Sequence, residues 1–146
     1  MDYGKQIVII DLIREVTPPF SPEYVCEEFA RLLKSYNIHR CMGDKFANVW
    51  PIEQFAKFNI RYEQSALPKS ELYQSLLPLI NSRRIDLLDH PKLINQLVGL
   101  ERHTARGGRD SIDHMLGGHD DICNAVAGLA NINNRYSGFD VTWSFV

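Results

Sequence analysis

The chain has 146 residues, a length that suits one compact domain and is too short for two ordinary domains. Hydrophobic residues make up 45% of it and charged residues 23%, which excludes a disordered chain, a collagen-like repeat and a small disulfide scaffold. Its formal net charge of -2 excludes the strongly basic overall field of many nucleic-acid-binding proteins, so any contact with DNA would be local.

The first part of the chain predicts alternating strands and helices. Residues 6–16 are rich in β-branched side chains and stop at Thr17-Pro18-Pro19, so we expect a strand there. Ser21-Pro22 is typical of a helix start, and apolar residues at helical spacing continue that helix to about residue 36. Residues 38–42 lie between two helical patterns, which favours a parallel strand in a βαβ arrangement.

The alternation continues through the middle of the chain. We expect a short helix at 51–58, a strand at 60–63 and a helix at 69–80. The residues of that last helix that we expect to face the core are Leu72, Leu76, Leu79 and Ile80. Residues 85–88 predict a short extended segment, and Pro91 begins another helix. The predicted fold class is therefore α/β.

The last part of the chain breaks this alternation. Residues 101–119 contain two Gly-Gly pairs and many charges, so we expect an exposed, mobile loop in which Gly107-Gly108 is suited to a hairpin turn. Helical spacing and small residues predict a helix from Asp120. We place the folded domain at residues 1–130 and treat residues 131–146, which show no clear pattern, as a C-terminal tail.

Cysteine content and hydropathy indicate the compartment. The three cysteines have no close spacing, which argues against a disulfide framework and against a thiolate zinc site. The longest uninterrupted apolar run, Ile7 to Ile10, is far shorter than the roughly 20 residues of a membrane span and is too short for a signal peptide. We therefore expect a cytoplasmic protein without a membrane partner.

Aspartates at two places are candidate metal ligands. Asp44 follows the predicted strand at 38–42, where open α/β sheets bind ligands, although an aspartate after glycine is also a common turn residue. Asp120 and Asp121 open the last predicted helix, where they suit Mg²⁺ or Mn²⁺ but would also stabilise the helix dipole without a metal. Together Asp44 and Asp121 are suited to a two-metal site that cleaves a phosphodiester, a site that usually has a third carboxylate.

A second candidate is a local basic cluster. Arg102, Arg106 and Arg109 surround the Gly-Gly pair, and Lys69 is a further basic residue that we place near them. Arginines on an exposed loop suit contacts with DNA phosphates, and a solvated loop is the alternative. The five histidines show no metal-ligand spacing, so a zinc hydrolase is not indicated, and the chain has neither a P-loop nor a GxGxxG motif.

Six segments, in order, resemble the C-terminal nuclease domain of the tailed-phage terminase large subunit. The resemblance covers roughly residues 6–130. The segments are PPFSP (18–22), MGDKFA (42–47), PKSELY (68–73), LPLINS (77–82), LERHTARGGRDSIDH (100–114) and GHDDICNAVAG (118–128). That family has a ribonuclease H-like fold, a mixed sheet with flanking helices, and cuts concatemeric double-stranded phage DNA during genome packaging.

The resemblance implies roles for the candidate residues. Family members bind two divalent metals through carboxylates, so Asp44, Asp120 and Asp121 would be metal ligands and catalytic residues, with Asp121 the principal ligand of the pair. The implied cofactor is Mg²⁺ or Mn²⁺. Residues 104–113 resemble a hairpin near the active site of the family. That likeness favours DNA contact by the basic cluster.

The chain also departs from the family. There the first strand supplies a further aspartate ligand, and the strand at 6–16 resembles the third strand, so we expect the first two strands and that aspartate to be missing. Neither Asp2 nor Asp11 is placed to replace it. We expect the ATPase motor domain to be missing as well. We therefore expect an incomplete metal site and impaired cleavage.

The missing strands also bear on partners. Unpaired backbone in the middle of a sheet is costly, which favours self-association or a partner that supplies the missing N-terminal segment. The terminase small subunit and the portal are further partners that the resemblance implies, beside double-stranded DNA. Two functions stay open: an impaired endonuclease, and a non-catalytic DNA-binding or assembly module derived from one. A pseudogene product without function is a third alternative.

Overall fold

The structure is a computed structural model that describes residues 7–45, 49–135 and 141–142. Its helices are α1 (Pro22–Ser35), α2 (Val49–Ala56), α3 (Lys69–Asn81), α4 (Pro91–Val98) and α5 (Asp121–Arg135). Its strands are β1 (Val8–Ile9), β2 (Arg40–Gly43), β3 (Arg61–Gln64), β4 (Ile85–Asp86), β5 (Leu100–Thr104), β6 (Asp110–His114) and β7 (Val141–Thr142).

The strands pair in three groups. β2 lies between β3 and β7 and is parallel to both, with Cys41 opposite Tyr62 on one side and opposite Val141 on the other. β1 and β4 form a second parallel pair, and β5 and β6 form an antiparallel hairpin. A parallel pair needs a crossover connection, which α2 provides between β2 and β3. The α/β prediction is confirmed.

Two groups of buried side chains hold these elements together. The first group joins β1 to α3, α4 and α5, and Leu76, Leu93 and Val126 are among its residues. The second joins β2 and β3 to α1 and α2, and in it Phe55 stacks on Tyr62 with 5.5 Å between the ring centroids. Helix α5 contacts β1, β2 and β7, so it connects the two groups.

The first strand is shorter than the sequence predicts. We expect a strand over residues 6–16, but within the described residues only Val8–Ile9 is paired, so the prediction is wrong for most of that range. The partner strand, β4, has only two residues, and it limits the ladder. Val8 and Ile10 are buried, whereas residues 11–12 are exposed. β-Branched composition therefore locates the strand but does not set its length.

The segment predicted as a loop is largely a hairpin. β5 and β6 pair from Leu100 and His114 to Thr104 and Asp110, so the loop prediction for 101–119 is wrong over both strands. The suggested Gly-Gly turn is confirmed, and its second glycine has a φ of +77°, which glycine adopts at little cost. Few hairpin side chains are apolar, so alternating hydrophobicity does not reveal these strands.

The predicted helices are confirmed with small changes in their bounds. Ser21 caps α1, since its Oγ accepts a hydrogen bond of 3.5 Å from the N–H of Tyr24. The helix expected at 51–58 runs from Val49 to Ala56. The last helix extends to Arg135, beyond the expected domain boundary at residue 130.

The C-terminal tail contributes one described segment. Val141–Thr142 forms β7, which pairs with β2, and the rest of the predicted tail from residue 136 lies outside the described residues. The expected tail therefore includes the end of α5 and a strand of the parallel sheet.

The three cysteines lie in the two groups of core residues. Cys26, Cys41 and Cys123 are buried free thiols, and burial raises their pKa values to about 11, about 12 and about 11 respectively. In the described part of the chain, no helix has both the length and the apolar character that crossing a membrane requires.

Gly43, which precedes Asp44 at the end of β2, has no room for a side chain. A Cβ atom there would lie 1.7 Å from Oη of Tyr62, whereas a Cβ atom at Gly107 would meet no atom within 4 Å. We expect Gly43→Ala to lower the free energy of unfolding by about 1–3 kcal/mol through overpacking. Gly107→Ala is the matched control and should change it by less than about 0.5 kcal/mol. Urea denaturation measures both, and equal stabilities would contradict the packing of Tyr62 against Gly43.

Candidate metal centre

Three side chains that suit a metal ion meet where the hairpin approaches the start of α5. Asp113 and His114 end β6, and Asp120 directly precedes α5. One carboxylate oxygen from each aspartate and one imidazole nitrogen all lie within 4.8 Å of one another. Carboxylate oxygens suit Mg²⁺ and Mn²⁺, and neutral imidazole is a common metal ligand, so the donor set fits a divalent cation. We refer to Asp113, His114 and Asp120 as the acidic cluster.

Helix α3 fixes the hairpin beside this cluster. Ser70 Oγ accepts a hydrogen bond of 2.8 Å from the backbone N–H of Ile112. One turn later, the Gln74 side-chain amide donates to the backbone oxygen of Asp110 over 3.3 Å. Two polar side chains of α3 therefore hold the backbone of β6, and this places the end of β6 near α5.

Asp120 is a buried carboxylate that α3 also contacts. Tyr73 Oη donates a hydrogen bond of 2.8 Å to its Oδ2, and Lys69 Nζ lies 2.9 Å from the same oxygen. Lys69 and Tyr73 are four residues apart, so they lie on the same face of α3. Burying an unpaired carboxylate costs several kcal/mol or more, and these two contacts offset that cost.

A side chain from another helix caps the start of α5. Oε1 of Gln96, on α4, accepts hydrogen bonds from the backbone N–H groups of Ile122 at 2.8 Å and Cys123 at 3.1 Å. These donors have no partner within the helix itself. Because Gln96 satisfies them, the Asp120 carboxylate faces Lys69 and Tyr73 instead of capping the helix.

Lys69 links the hairpin to α5 through its charge. Its Nζ lies 2.7 Å from Oδ1 of Asp113 as well as 2.9 Å from Asp120. Partial burial lowers the pKa of this ammonium group, but hydrogen bonds to the two carboxylates outweigh that effect and leave the pKa above its ordinary value. The hydrogen bond from Lys69 in turn lowers the pKa of Asp113. Lys69 and Asp113 are therefore both charged at neutral pH.

The ring of His114 is oriented by its own backbone neighbour. Its Nδ1 lies 2.9 Å from the carbonyl oxygen of Met115, and a carbonyl only accepts, so Nδ1 carries the proton. In the neutral ring the lone pair is then on Nε2, which lies 3.7 Å from Oδ1 of Asp113. A carbonyl that fixes the tautomer in this way is a common second-layer feature of histidine metal ligands.

Two predicted ligands lie outside the acidic cluster. Asp44 is half-buried directly after β2, and Asp121 is the first residue of α5. Burial, and then the charge of Asp120, raises the pKa of Asp121. Among the described residues, the acidic cluster is the group of metal-binding side chains whose ligand atoms all lie within 4.8 Å of one another. Of the three carboxylates predicted from the sequence, the cluster contains Asp120 and neither Asp44 nor Asp121.

The basic residues predicted to contact DNA lie on the hairpin or beside it. Arg106 and Arg109 are exposed at its turn. Arg102 is also exposed, and its guanidinium lies 2.7 Å from a carboxylate oxygen of Asp110 on the facing strand. Lys69 faces the acidic cluster, with 30% of its side chain accessible. The three arginines thus share one exposed element next to the cluster.

Sequence patterns do not single out several residues that build this site. Asp113 and His114 show no regular ligand spacing relative to Asp120, because hairpin pairing and the contacts with α3 bring them together. Tyr73 and Gln96 read as ordinary helix residues. The Gly107-Gly108 pair is the sequence signal that points to Asp113 and His114. A hairpin centred on this turn places the end of its second strand just before the last helix.

Three solved structures share this architecture. They are the large terminase nuclease of the thermophilic phage G20c with bound magnesium, the same nuclease in a second crystal structure, and the nuclease with bound cobalt. Their TM-scores are 0.62, 0.63 and 0.66, at 17%, 17% and 15% sequence identity, and the matches cover 75%, 76% and 79% of this chain. The chain has the fold of a large terminase nuclease.

This similarity confirms the expected ribonuclease H-like fold class. The chain spans 60%, 62% and 64% of the length of the three solved nucleases. No protein-family model and no curated protein matches the sequence. The assignment of the fold therefore rests on the similarity of the backbone to these three solved structures.

Removing the side chain that caps α5 should weaken the site's scaffold. We expect Gln96→Ala to lower the free energy of unfolding by about 1 kcal/mol, as for loss of a helix cap, because two N–H groups lose their acceptor. Asn95→Ala, at an exposed position of the same helix, should change it by less than about 0.5 kcal/mol. Urea denaturation of both variants measures the difference. A Gln96→Ala variant as stable as Asn95→Ala would contradict the cap.

The Lys69 contact predicts a specific titration. In Lys69→Met the pKa of Asp113 should rise toward its ordinary value of 3.8, because the largest cause of its lowering is removed. In the wild type the ionised carboxylate stabilises the fold above that value, and the contribution is lost as pH falls through the lowered folded-state pKa. Carboxyl ¹³C NMR measures the pKa directly. Lys69→Arg should keep it low, and an unchanged pKa in Lys69→Met would rule out the contact.

Proposed function

We propose that the chain is a nuclease module of a phage DNA-packaging terminase, which cleaves double-stranded DNA with divalent metal ions, and that its cleavage is impaired. The observation that carries this proposal is the acidic cluster, with its ligand atoms within 4.8 Å of one another, on a large terminase nuclease fold. Two of the solved nucleases of this fold contain magnesium or cobalt, which supports a divalent cation here. Carboxylate ligands favour Mg²⁺ or Mn²⁺ as the ion.

The residues of the chain divide into ligands and supports. Asp113, His114 and Asp120 would hold the ion, with Asp44 and Asp121 as further carboxylates for a second ion. Metal ions at such a site activate a water molecule and stabilise the leaving oxygen of the phosphodiester. Tyr73 positions the carboxylate of Asp120 through its hydrogen bond.

The hairpin is the proposed contact for double-stranded DNA. Arg102, Arg106 and Arg109 are exposed on it, with Arg106 and Arg109 at its turn and Asp113 and His114 of the acidic cluster at the opposite end. Guanidinium groups bind phosphate oxygens through charge and paired hydrogen bonds, and the overall charge of -2 leaves this element as a local basic surface. A packaging role would place the protein in the cytoplasm of a bacterial host, with the terminase small subunit and the portal as protein partners.

The alternative is a non-catalytic DNA-binding or assembly module. Lys69 favours it, because its ammonium group already lies between the carboxylates of Asp113 and Asp120 and neutralises part of their charge without a metal. In that function the arginines of the hairpin would still contact phosphates, and the acidic cluster would only hold the hairpin against α5.

Cleavage of supercoiled plasmid in Mn²⁺ or Mg²⁺ separates the two functions. We expect nicking that EDTA abolishes and that Asp113→Asn and Asp120→Asn each remove. Each variant should also bind Mn²⁺ at least about tenfold more weakly by calorimetry, because even residues behind metal ligands contribute about 10–100-fold to affinity. Asp89→Asn, at an exposed aspartate outside the cluster, is the matched control and should behave as the wild type.

The other outcomes are equally defined. Nicking that survives both substitutions, or that EDTA leaves unchanged, would contradict the proposed site. Absence of nicking, together with DNA binding that falls steeply with salt, would favour the assembly module. In either case Arg106→Ala should weaken DNA binding. It should also make the negative slope of log affinity against log salt shallower by roughly 0.9, the value for one phosphate contact.

A further inference from the structure

Lys69 occupies an unusual position for a lysine. It is the first residue of α3, where the positive end of the helix dipole disfavours a cation. Its Nζ is nevertheless held 2.7 Å from Asp113 and 2.9 Å from Asp120. Both oxygens belong to the acidic cluster. The two carboxylates therefore stabilise a positive charge that the local helix geometry opposes.

The hairpin does not depend on this charge for its attachment. Ser70 accepts from the backbone of Ile112, and Gln74 donates to the backbone of Asp110. Ile112 also packs against the first group of core residues. These contacts keep β6 beside α3 whether or not Lys69 is bound to the carboxylates. The ammonium group is therefore free to leave without detaching the hairpin.

The side chain of Lys69 also has a route out of the cluster. About a third of it is accessible, at 30%, and lysine carries its charge on a flexible four-carbon stem. Tyr73 holds Oδ2 of Asp120 independently, at 2.8 Å. If the ammonium group left, both carboxylates would stay in place without the positive charge that balances them. A divalent cation supplies that charge with the ligand type it prefers.

We propose that Lys69 is an internal counter-ion of the acidic cluster and that a divalent metal ion displaces it on binding. The ammonium group balances Asp113 and Asp120 before the metal binds, and the metal takes over that role. This inference rests on the proposed function, because it assigns a regulatory residue to the same metal site. Lys69 thus lowers the affinity of the cluster for a metal ion, because the ion has to displace its ammonium group.

The affinity for Mn²⁺ tests displacement without using DNA cleavage. Lys69→Met removes the competing charge and keeps a similar apolar stem, so it should bind Mn²⁺ more tightly, by about 5- to 150-fold, the usual range for coupled sites. Lys69→Arg keeps the charge and should bind as the wild type does. Calorimetry or the electron paramagnetic resonance signal of free Mn²⁺ measures the affinity.

A second variant separates the charge of Lys69 from the attachment of the hairpin. Hydrogen exchange at the Ile112 amide should be slow in Lys69→Met, because Ser70 still accepts from it. Ser70→Ala should speed that exchange and should not tighten Mn²⁺ binding. Tighter binding in Ser70→Ala as well would mean that any loosening of the hairpin raises affinity, which would overturn the specific role of Lys69.

The wild-type chain offers a direct measurement of the displaced lysine. Mg²⁺ should raise the rate at which an amine-acetylating reagent modifies Lys69, as read by mass spectrometry. Lys57, which directly follows α2 and whose Nζ lies 3.0 Å from Oε1 of Gln54, is the control outside the acidic cluster and should react at the same rate with and without Mg²⁺. An unchanged or lower rate at Lys69 would show that the metal does not displace it.

The failures of the two proposals are distinguishable. If neither the wild type nor Lys69→Met binds Mn²⁺, the metal site itself is absent and both proposals fall. If both bind Mn²⁺ with the same affinity, within about twofold, the metal site stands and Lys69 is not a competing counter-ion. Weaker binding in Lys69→Met would make Lys69 a support of the ligands and would likewise overturn displacement.

Discussion

The balance of charge around Lys69 is the constraint on which the site depends. Asp113 comes from the hairpin and Asp120 from the start of α5, and like charges brought this close repel unless a cation lies between them. The Lys69 ammonium group, 2.7 and 2.9 Å from the two carboxylates, provides that cation. It therefore balances two carboxylates that other contacts bring together from elements separate in the sequence.

Helix α3 gives this arrangement its rigidity. Its first two turns supply four contacts of different kinds: Lys69 to the cluster, Ser70 and Gln74 to the backbone of β6, and Tyr73 to Asp120. Gln96 on α4 completes the arrangement, since it caps α5 and leaves the Asp120 carboxylate available. Different side chains thus cap α5 and hold the Asp120 carboxylate, so a candidate metal-binding carboxylate lies beside a well-satisfied helix terminus.

The sequence predicted part of the site for a clear reason. Local signals identified the helices, and the position of aspartates at the end of a strand and the start of a helix singled out Asp44, Asp120 and Asp121. They did not reveal Asp113 or His114, because strand pairing of a mostly polar hairpin brings these residues to Asp120. They also overestimated the first strand, since the length of a ladder depends on the partner strand as well as on its own residues.

By itself, the sequence determined the α/β class, the order of the elements from β1 to α4, the Gly-Gly turn and a local basic element in a slightly acidic chain. These features follow from periodicity, capping residues and charge, which act over a few residues. Only the tertiary structure decided which carboxylates lie together, that Gln96 rather than Asp120 caps α5, and that Lys69 faces the acidic cluster. Contacts between distant segments are set by the packing of α3, α4 and α5 around one core, and no local pattern encodes them.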